Sequence, residues 1–357
     1  MSGPARPVAD LYAAAGVDVA AGDRAVELMK ASVARATRPE VVGGLGGFAG
    51  LFDASALKGF RRPLLATSTD GVGTKVEIAR AMERFDTIGR DLVAMLVDDL
   101  VVCGAEPLFV TDYIACGSVV PERIAAIVSG IADGCALAGA ALVGGETAEH
   151  AGLLDPDEFD IAGATTGVVE ADDVLGPARV RDGDLLVAMA SSGLHSNGYV
   201  LVRKVFLADA GWRLDKDVPE FERSLGEELL EPARIYALDV LEVIRQVEVH
   251  AACHVTGGGI AANLARVLPV GATARVERSS WTPPPVFQVT AGLAGVDVAD
   301  LESTLNLGIG MILVVAPESA DAAVSLLRER RVPAWVAGSV RTSGQQGVPT
   351  AALIGRH

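Results

Sequence analysis

The sequence has few aromatic residues and no paired cysteine motif, and each shortage excludes a class of protein. Phe, Trp and Tyr make up 4% of the 357 residues, although hydrophobic residues as a whole make up 50%. Alanine, valine and leucine must therefore fill the core, which suits interleaved helices and mostly buried strands. Cys103, Cys116, Cys135 and Cys253 form no C-x-x-C pair. This pattern favours small core residues in a reducing compartment over a disulfide framework or a zinc site.

Positive charges are also scarce. The chain has 30 Lys and Arg against 46 Asp and Glu, which gives a formal net charge of −16. This balance argues against a broad surface for nucleic acid or for an anionic membrane. A small anionic ligand remains compatible if a few lysines, a metal ion or the N–H groups at helix starts receive it.

Long apolar segments are missing as well. The first residues, MSGPARPVAD, lack the apolar stretch of a secretory signal. Residues 185–202 carry no Asp, Glu, Lys or Arg, but the loop-forming SSGLHSNG interrupts them, so they do not predict a transmembrane helix. We therefore expect a soluble, cytoplasmic protein with neither nucleic-acid nor membrane partners.

What the sequence does contain is an alternation of strand-like and helix-like segments. The predicted strands are RRPLLATST, LFVTDYIAC, ALVGG (followed by a loop, ETAEH), IAGATTGVVE, LLVAMA, VHAACHV, LGIGMILVVA and AWVAGSV. Helices are predicted over residues 86–103, 121–139 and 232–246, after the loops SSGLHSNG and TGGG, and over SADAAVSLLRER, with WTPPP as a loop. The polar stretch 172–183 separates two halves, so we predict α/β domains (with α+β character) at 1–175 and 176–357.

Several glycine-containing loops follow the predicted strands: DGVGTK, GGET, SGLHSNG and TGGG. A loop that opens a helix offers free N–H groups to an anion, and Ser196 or Asn197 could cap the helix after Gly198. None is a complete P-loop, because STDGVGTK lacks the first glycine of that motif and has Thr-Lys in place of Lys-Thr. Four such loops in one chain favour anion binding over simple tight turns.

Residues 44–49, GLGGFA, formally match the dinucleotide pattern G-x-G-x-x-A. The match lacks a clear preceding strand and a following βαβ unit. We therefore predict a glycine-rich flap here, and an NAD-dependent oxidoreductase is kept as an alternative.

Acidic residues in apolar surroundings indicate a metal site. Asp98 and Asp99 lie in VAMLVDDLVVC, which has no other polar residue. Neighbouring helix residues point about 100° apart, so the two carboxylates face different surroundings. An isolated buried carboxylate is costly, so we expect at least one of them to bind a metal ion. Asp70 and Glu146 supply further oxygen ligands of the kind that Mg²⁺ takes when it bridges phosphates.

The motifs TDGVGTK, DDLVVCGAEPLFVTDY, LVGGETAE, SSGLHSNGY and HVTGGG occur in an order that resembles the phosphoribosylformylglycinamidine cyclo-ligase (aminoimidazole ribonucleotide synthetase) family. GGLGGF near the start and LGIGM near the end belong to the same set, so the resemblance covers nearly the whole chain. It implies two α/β domains and a homodimer joined through the N-terminal sheets. It also implies ATP-dependent ring closure of formylglycinamidine ribonucleotide to aminoimidazole ribonucleotide, the fifth step of purine synthesis.

The resemblance also implies roles for individual residues. Asp70 and Asp99 would hold Mg²⁺ on the triphosphate of ATP, with Asp98 and Glu146 as second candidates. Asp70, Lys75 and His195 are the expected catalytic residues, Lys75 through contact with phosphate oxygens and His195 through contact with the substrate or the transferred phosphoryl group. The other expected ATP- or substrate-binding residues are Gly43, Gly44, Gly46, Gly47, Gly71, Gly73, Thr74, Glu146, Thr147, Ser196, Asn197, Gly198, His254, Thr256 and Gly257.

The sequence departs from the family pattern at a few positions. The family often has Asn where Asp98 stands, so Asp99 is the better candidate ligand. Leu305 replaces a common Phe, and His150-Ala151 replaces a frequent Met-Pro. Selenophosphate synthetase and thiamine-monophosphate kinase share the implied architecture and remain alternatives, as does a catalytically silent nucleotide-binding protein.

Overall fold

The computed structural model describes residues 18–44, 47–342 and 347–357. Gly46, one of the expected flap glycines, lies outside these residues. The strands of the described chain are β1 (Val41–Val42), β2 (Leu51–Phe52), β3 (Pro63–Gly71), β4 (Glu106–Cys116), β5 (Ala141–Glu149), β6 (Phe159–Glu170), β7 (Leu185–Ala190), β8 (Asp217–Val218), β9 (Arg223–Ser224), β10 (Val249–His254), β11 (Ala272–Glu277), β12 (Ile309–Val315), β13 (Ala334–Thr342) and β14 (Thr350–Ile354).

The helices alternate with these strands. They are α1 (Val19–Arg35), α2 (Val76–Ala81), α3 (Asp86–Val101), α4 (Pro121–Ala138), α5 (Tyr199–Arg203), α6 (Leu225–Leu229), α7 (Ala237–Gln246), α8 (Gly259–Ala265), α9 (Pro285–Ala294) and α10 (Ala320–Glu329). A π-helical turn, Lys204–Asp209, continues α5. In the described residues, no helix combines the length and hydropathy needed to cross a bilayer.

The first sheet has the strand order β3-β6-β4-β5. β6 pairs antiparallel with β3 and β4, whereas β4 and β5 are parallel. β3, β4 and β5 therefore end at the same edge of the sheet. α3 and α4 cover one face of the sheet, and α1 packs on α4. The opposite face is open: Leu65 is 64% exposed and Tyr113 is 41% exposed.

The second sheet is larger and more deeply buried. Its order is β10-β12-β7-β13-β11-β14, with β11 and β14 parallel and the other pairs antiparallel. Every residue of β10 and β12 is buried. Such continuously apolar strands are typical of a sheet that is covered on both faces.

Most of the strands and helices predicted from the sequence are confirmed. α4 begins at Pro121 and ends against Gly139, whose φ of 69° provides the left-handed terminus that glycine tolerates best. All four cysteines are free thiols, and Cys103 alone among them is partly exposed. The long helix α1, the short elements α6, β1, β2, β8 and β9 and the outer strands β11 and β14 were not predicted.

Two predictions about local structure were wrong. The predicted strand ALVGG does not stop before ETAEH, because β5 stays paired with β4 as far as Glu149. The helix predicted from Pro232 begins only at Ala237, because backbone groups of residues 231–236 bond to side chains of the first domain. The predicted loop WTPPP is confirmed over residues 281–284, and its last residue, Pro285, begins α9, which was not predicted.

Candidate functional site

The two favoured metal carboxylates come together beside His254, at the junction of the two sheets. Asp70 lies near the end of β3 and accepts a hydrogen bond from the N–H of Gly71 at 2.7 Å. Asp99, near the end of α3, lies 2.9 Å from Nδ1 of His254, the last residue of β10. Burial raises the pKa of Asp70, and the negative charge of Asp99 raises it further, while Gly71 and His254 oppose the shift. The first domain thus supplies two acids and the second an imidazole.

This donor set fits a Mg²⁺ ion bound together with phosphate. Mg²⁺ is usually held by one or two carboxylates, with phosphate oxygens and water completing its shell. Across the described ranges, no three His, Cys, Asp or Glu side chains are grouped so that they alone could hold a metal ion. Asp70 and Asp99 therefore form a partial site of the kind that a nucleotide completes.

Asp98 does not fit its predicted role as a metal ligand. Its side chain is fully buried, and Oδ1 accepts a hydrogen bond from the N–H of Tyr236 at 2.9 Å. Burial raises the pKa of the Asp98 carboxyl to about 7, although His254 and the N–H of Tyr236 act against the shift. Asp98 is a contact between the domains, whereas Asp99, one position further along the helix, has a side chain that is 44% exposed.

Lys75 does not fit its predicted role at the phosphates either. Its ammonium group is fully buried and lies 2.8 Å from Oδ2 of Asp91. It also donates to the backbone carbonyls of Glu231 at 2.7 Å and His195 at 3.2 Å. These three acceptors use the three donors of the ammonium group inside the protein. Lys75 therefore joins the loop STDGVGTK to the second domain instead of facing a ligand.

Residues 231–236 form a strap that fastens the two domains together. Asp91 accepts from the N–H of Ala233 at 2.7 Å, as Asp98 does from Tyr236. Asp91 and Asp98 are seven positions apart on α3, so they share one face of that helix. On the other side of the strap, the Ser192 hydroxyl donates to the carbonyl of Pro232 at 2.7 Å. The strap, together with Lys75, Asp91, Asp98 and Ser192, is called the domain contact below.

His195 is packed inside the SSGLHSNG loop and does not face an opening. The ring is 1% exposed, and Nε2 accepts from the N–H of Ser192 at 3.2 Å. Burial lowers the pKa of His195 well below its usual value, so the ring is neutral. An added Cβ at Gly310 would lie 2.6 Å from the ring. The structure therefore places His195 as a support for the loop.

Two of the glycine-containing loops meet around a cavity of about 440 Å³, which we call the loop cavity. Its lining includes Asp70, Gly71, Gly73, Asp160, Ser196 and Asn197. The hydroxyl of Ser196 is buried without a partner. The expectation that Ser196 or Asn197 caps the next helix is wrong, because Gly198, at φ 77°, occupies that position without a side-chain bond. The hydroxyl of Ser196 thus remains for a ligand, and within the described chain the amide of Asn197 donates only to the sulfur of Met95, at 3.8 Å. Asp160 was missed because it belongs to no recognisable motif.

The remaining predicted residues divide between the loops and a second cavity. Thr74 lies in the short turn Gly73–Lys75 that leads into α2. Thr256 and Gly257 form the turn before α8, where Asn263 bonds to the carbonyls of both residues. Gly43, at φ 95°, follows β1 directly.

The second cavity, of about 650 Å³, lies between α1, β5 and residues 47–50, and we call it the flap cavity. Gly44, Gly47, Glu146 and Thr147 line it. Glu146 therefore lines a different cavity from Asp70. Asp112 also lines the flap cavity and was not predicted, since its sequence, VTDYI, gives no signal beyond a strand.

Comparison with known proteins agrees with this architecture. Residues 53–169 match the AIR synthase related protein, N-terminal domain, and residues 181–349 match the AIR synthase related protein, C-terminal domain. A phosphoribosylformylglycinamidine cyclo-ligase of Geobacillus kaustophilus is 49% identical over 333 residues, covering 93% of this chain and 96% of the relative. One from Desulfitobacterium hafniense is 49% identical over 334 residues, covering 94% and 97%.

Solved structures show the same fold at lower identity. The thiamine-monophosphate kinase of Stenotrophomonas maltophilia superposes with a TM-score of 0.64 at 19% identity, covering 93% of this chain and 96% of the kinase chain. The hydrogenase maturation protein HypE in complex with ATP superposes with a TM-score of 0.63 at 21% identity, covering 93% and 90%. Two matched domains and relatives at about half identity over nearly full length lead to one conclusion: the chain belongs to the phosphoribosylformylglycinamidine cyclo-ligase family.

Proposed function

We propose that the protein uses ATP to close the ring of formylglycinamidine ribonucleotide, giving aminoimidazole ribonucleotide, ADP and phosphate, the fifth step of purine synthesis. The observation that carries this proposal is that Asp70, which interacts with Asp99, lines one cavity together with Ser196 and Asn197 in a chain of this family. Acids that can hold a metal ion and neutral groups that can orient a substrate thus lie at one junction between domains.

The reaction has two steps. The formyl amide oxygen attacks the γ-phosphorus of ATP, and ADP leaves. An amidine nitrogen then attacks the activated carbon, the nitrogen loses a proton, and phosphate departs with the former amide oxygen. Phosphoryl transfer of this kind depends on positioning and on charge neutralisation more than on covalent help from the protein.

The residues that line the loop cavity, together with Asp99 beside Asp70, suit these needs. Asp70 and Asp99 would hold Mg²⁺, which supplies positive charge to the phosphate oxygens. The backbone at Gly71 and Gly73 can approach a phosphate closely because these positions carry no side chain. The buried, unpartnered hydroxyl of Ser196 can donate to the substrate or to the phosphoryl group. Lys75 and His195 would act indirectly, by holding the loop in place.

We further propose a homodimer joined through the open face of the first sheet. Leu65 and Tyr113 are exposed on that face. An uncovered apolar sheet face is costly in water, so a second copy is a suitable cover. Light scattering during size-exclusion chromatography tests this: Leu65→Glu is expected to yield monomers where the parent chain gives dimers.

The direct test of the activity is to mix the protein with formylglycinamidine ribonucleotide, ATP and Mg²⁺, and to follow aminoimidazole ribonucleotide. We expect one ADP and one phosphate per product molecule. A folded protein that forms no product would contradict the proposal. If the protein phosphorylated thiamine monophosphate instead, the alternative function, that of a thiamine-monophosphate kinase, would be favoured.

A further inference from the structure

The flap cavity contains a carboxylate for which the chain supplies no counter-charge. Asp112 stands in the middle of β4, on the face that α4 covers. Among the described residues, no hydrogen bond or ion pair is made by its side chain, whereas Asp91 of the same domain has both. Burial alone raises the pKa of the Asp112 carboxyl to about 7, which agrees with the lack of a nearby cation.

The local backbone leaves room for this carboxylate. Asp112 is paired with Gly145 of β5, and an added Cβ at Gly145 would lie 2.6 Å from Oδ1 of Asp112. Around Gly144 there is open space. Gly144 and Gly145 of the edge strand β5 thus leave the carboxylate of Asp112 accessible to a ligand. A larger side chain at Gly145 would push this carboxylate out of its position.

The rest of the lining is apolar and carries no positive charge. Its main apolar contributors are Ala25, Val26, Met29, Val33, Val128 and Leu142. None of the described residues that line the cavity is Lys, Arg or His. Phosphate would be repelled here by Asp112 and Glu146. A flat, uncharged ring that carries an N–H donor suits the cavity, because its faces contact aliphatic side chains and its donor bonds to the half-buried, unpartnered carboxylate.

We propose that the flap cavity binds the adenine base of ATP, and that the exocyclic amino group of the base donates a hydrogen bond to Asp112. This inference rests on the proposed use of ATP. It makes Asp112 the residue that distinguishes adenine from guanine or hypoxanthine, since a 6-oxo group would place an acceptor against a carboxylate. Above pH 7, where the Asp112 carboxyl is ionised, a base with an oxygen at that position sets two acceptors against each other and leaves both unpaired.

The position of Asp112 relative to the metal carboxylates is consistent with one nucleotide. Asp70 and Asp112 are both paired with Gly163 of β6, so they lie in one row and on one face of the sheet. Two strand spacings separate them by about 10 Å. Leu92 and Leu96 of α3 lie against Gly163 between them. The nucleotide would therefore pass around the carboxyl ends of β3, β4 and β5, with its base at Asp112 and its phosphates at Asp70.

Calorimetric titration with three nucleotides tests the inference without altering the protein. The ligands are ATP, purine riboside triphosphate, which lacks the amino group, and inosine triphosphate, which has an oxygen there, each with Mg²⁺. We expect the parent chain to bind ATP about 10- to 100-fold more tightly than either analogue. Equal affinity for the three nucleotides would overturn the inference, and failure to bind any of them would contradict the proposed use of ATP.

A second experiment repeats the titrations with the variant Asp112→Asn, because an amide side chain can either accept or donate a hydrogen bond. The preference for ATP over inosine triphosphate is expected to shrink to within about threefold, since the amide N–H can serve the 6-oxo group. Purine riboside triphosphate is expected to bind the variant no more weakly than the parent. Asp172→Asn is the matched control, because Asp172 is an exposed acid paired with Arg61. A variant that keeps the parent's preference, or that loses formylglycinamidine ribonucleotide instead of ATP, would contradict the assignment.

Discussion

The domain contact fully buries one carboxylate of the first domain, the flap cavity half-buries another, and the two carboxylates have different partners. At the domain contact, Asp91 has the ammonium of Lys75 at 2.8 Å and the N–H of Ala233 at 2.7 Å. In the flap cavity, Asp112 has no donor among the described residues, and only burial acts on the pKa of its carboxyl. An acid with a partner from the chain, such as Asp91, therefore stabilises the fold, whereas an acid without one, such as Asp112, is available to bind a ligand.

Breaking the domain contact is expected to have the largest effect on stability. Asp91→Ala would leave the ammonium of Lys75 buried without its counter-charge, which typically costs about 3–5 kcal/mol. The free energy of unfolding should fall by that amount in urea titrations. In the double variant Lys75→Met, Asp91→Leu no charge is stranded, so most of the loss should be recovered. A double variant as unstable as the single one would show that the pair itself stabilises the junction.

The exposed acid of α3 should respond in the opposite way. Asp99→Asn removes a charge that the protein leaves 44% exposed, so thermal stability should change little. Turnover of formylglycinamidine ribonucleotide should fall about 100- to 1,000-fold, because charge neutralisation at the phosphates is lost. The measurement is kcat and KM for Mg²⁺-ATP, with the unfolding curve as the control. Full activity would move the metal site away from Asp99.

The acid of the flap cavity should make stability depend on pH. Its pKa is raised from 3.8 to about 7 in the folded protein, so the folded state holds the proton more tightly than the unfolded state. This contribution is complete below about pH 4 and is lost as the pH rises to 7. Relative to Asp112→Asn, which cannot titrate, the parent should lose up to about 1.4 kcal/mol per pH unit in that window.

Two neighbouring groups bear on that experiment. Cys135 of α4 interacts electrostatically with Asp112, but burial keeps its thiol protonated through the whole window. Glu146 lines the same cavity and is present in both proteins. Parallel stability curves for the parent and the variant between pH 4 and 7 would show that Asp112 titrates normally.

The smallest effect is expected where an acid is both exposed and paired. Asp172 and Arg61 lie 2.8 Å apart with side chains more than 70% exposed. Water screens such a pair, so Asp172→Asn should leave both stability and activity unchanged within error. A clear loss of stability or of activity would show that solvent exposure does not distinguish Asp172 from the functional acids Asp91, Asp99 and Asp112.

Much of the fold could be predicted because the signals are local. The strand that contains Asp70 and the helix that starts at Asp86 follow from short apolar patterns and flanking polar residues. The elements that were missed depend on distant partners. β14, for example, pairs in parallel with β11, which lies more than seventy positions earlier in the chain. No pattern within a short window contains that pairing.

By itself, the sequence determined which loops carry glycine and acid at strand ends, and its ordered motifs indicated the family. It also determined that Asp98 and Asp99 face different ways, because successive helix positions diverge by about 100°. Only the tertiary structure decided which of the two is covered by the second domain. It likewise placed Lys75 and His195 inside the junction and left Asp112 beside a cavity. The physical reason is that burial and charge pairing arise between residues far apart in the chain, and these decide whether a polar group supports the fold or remains available to a ligand.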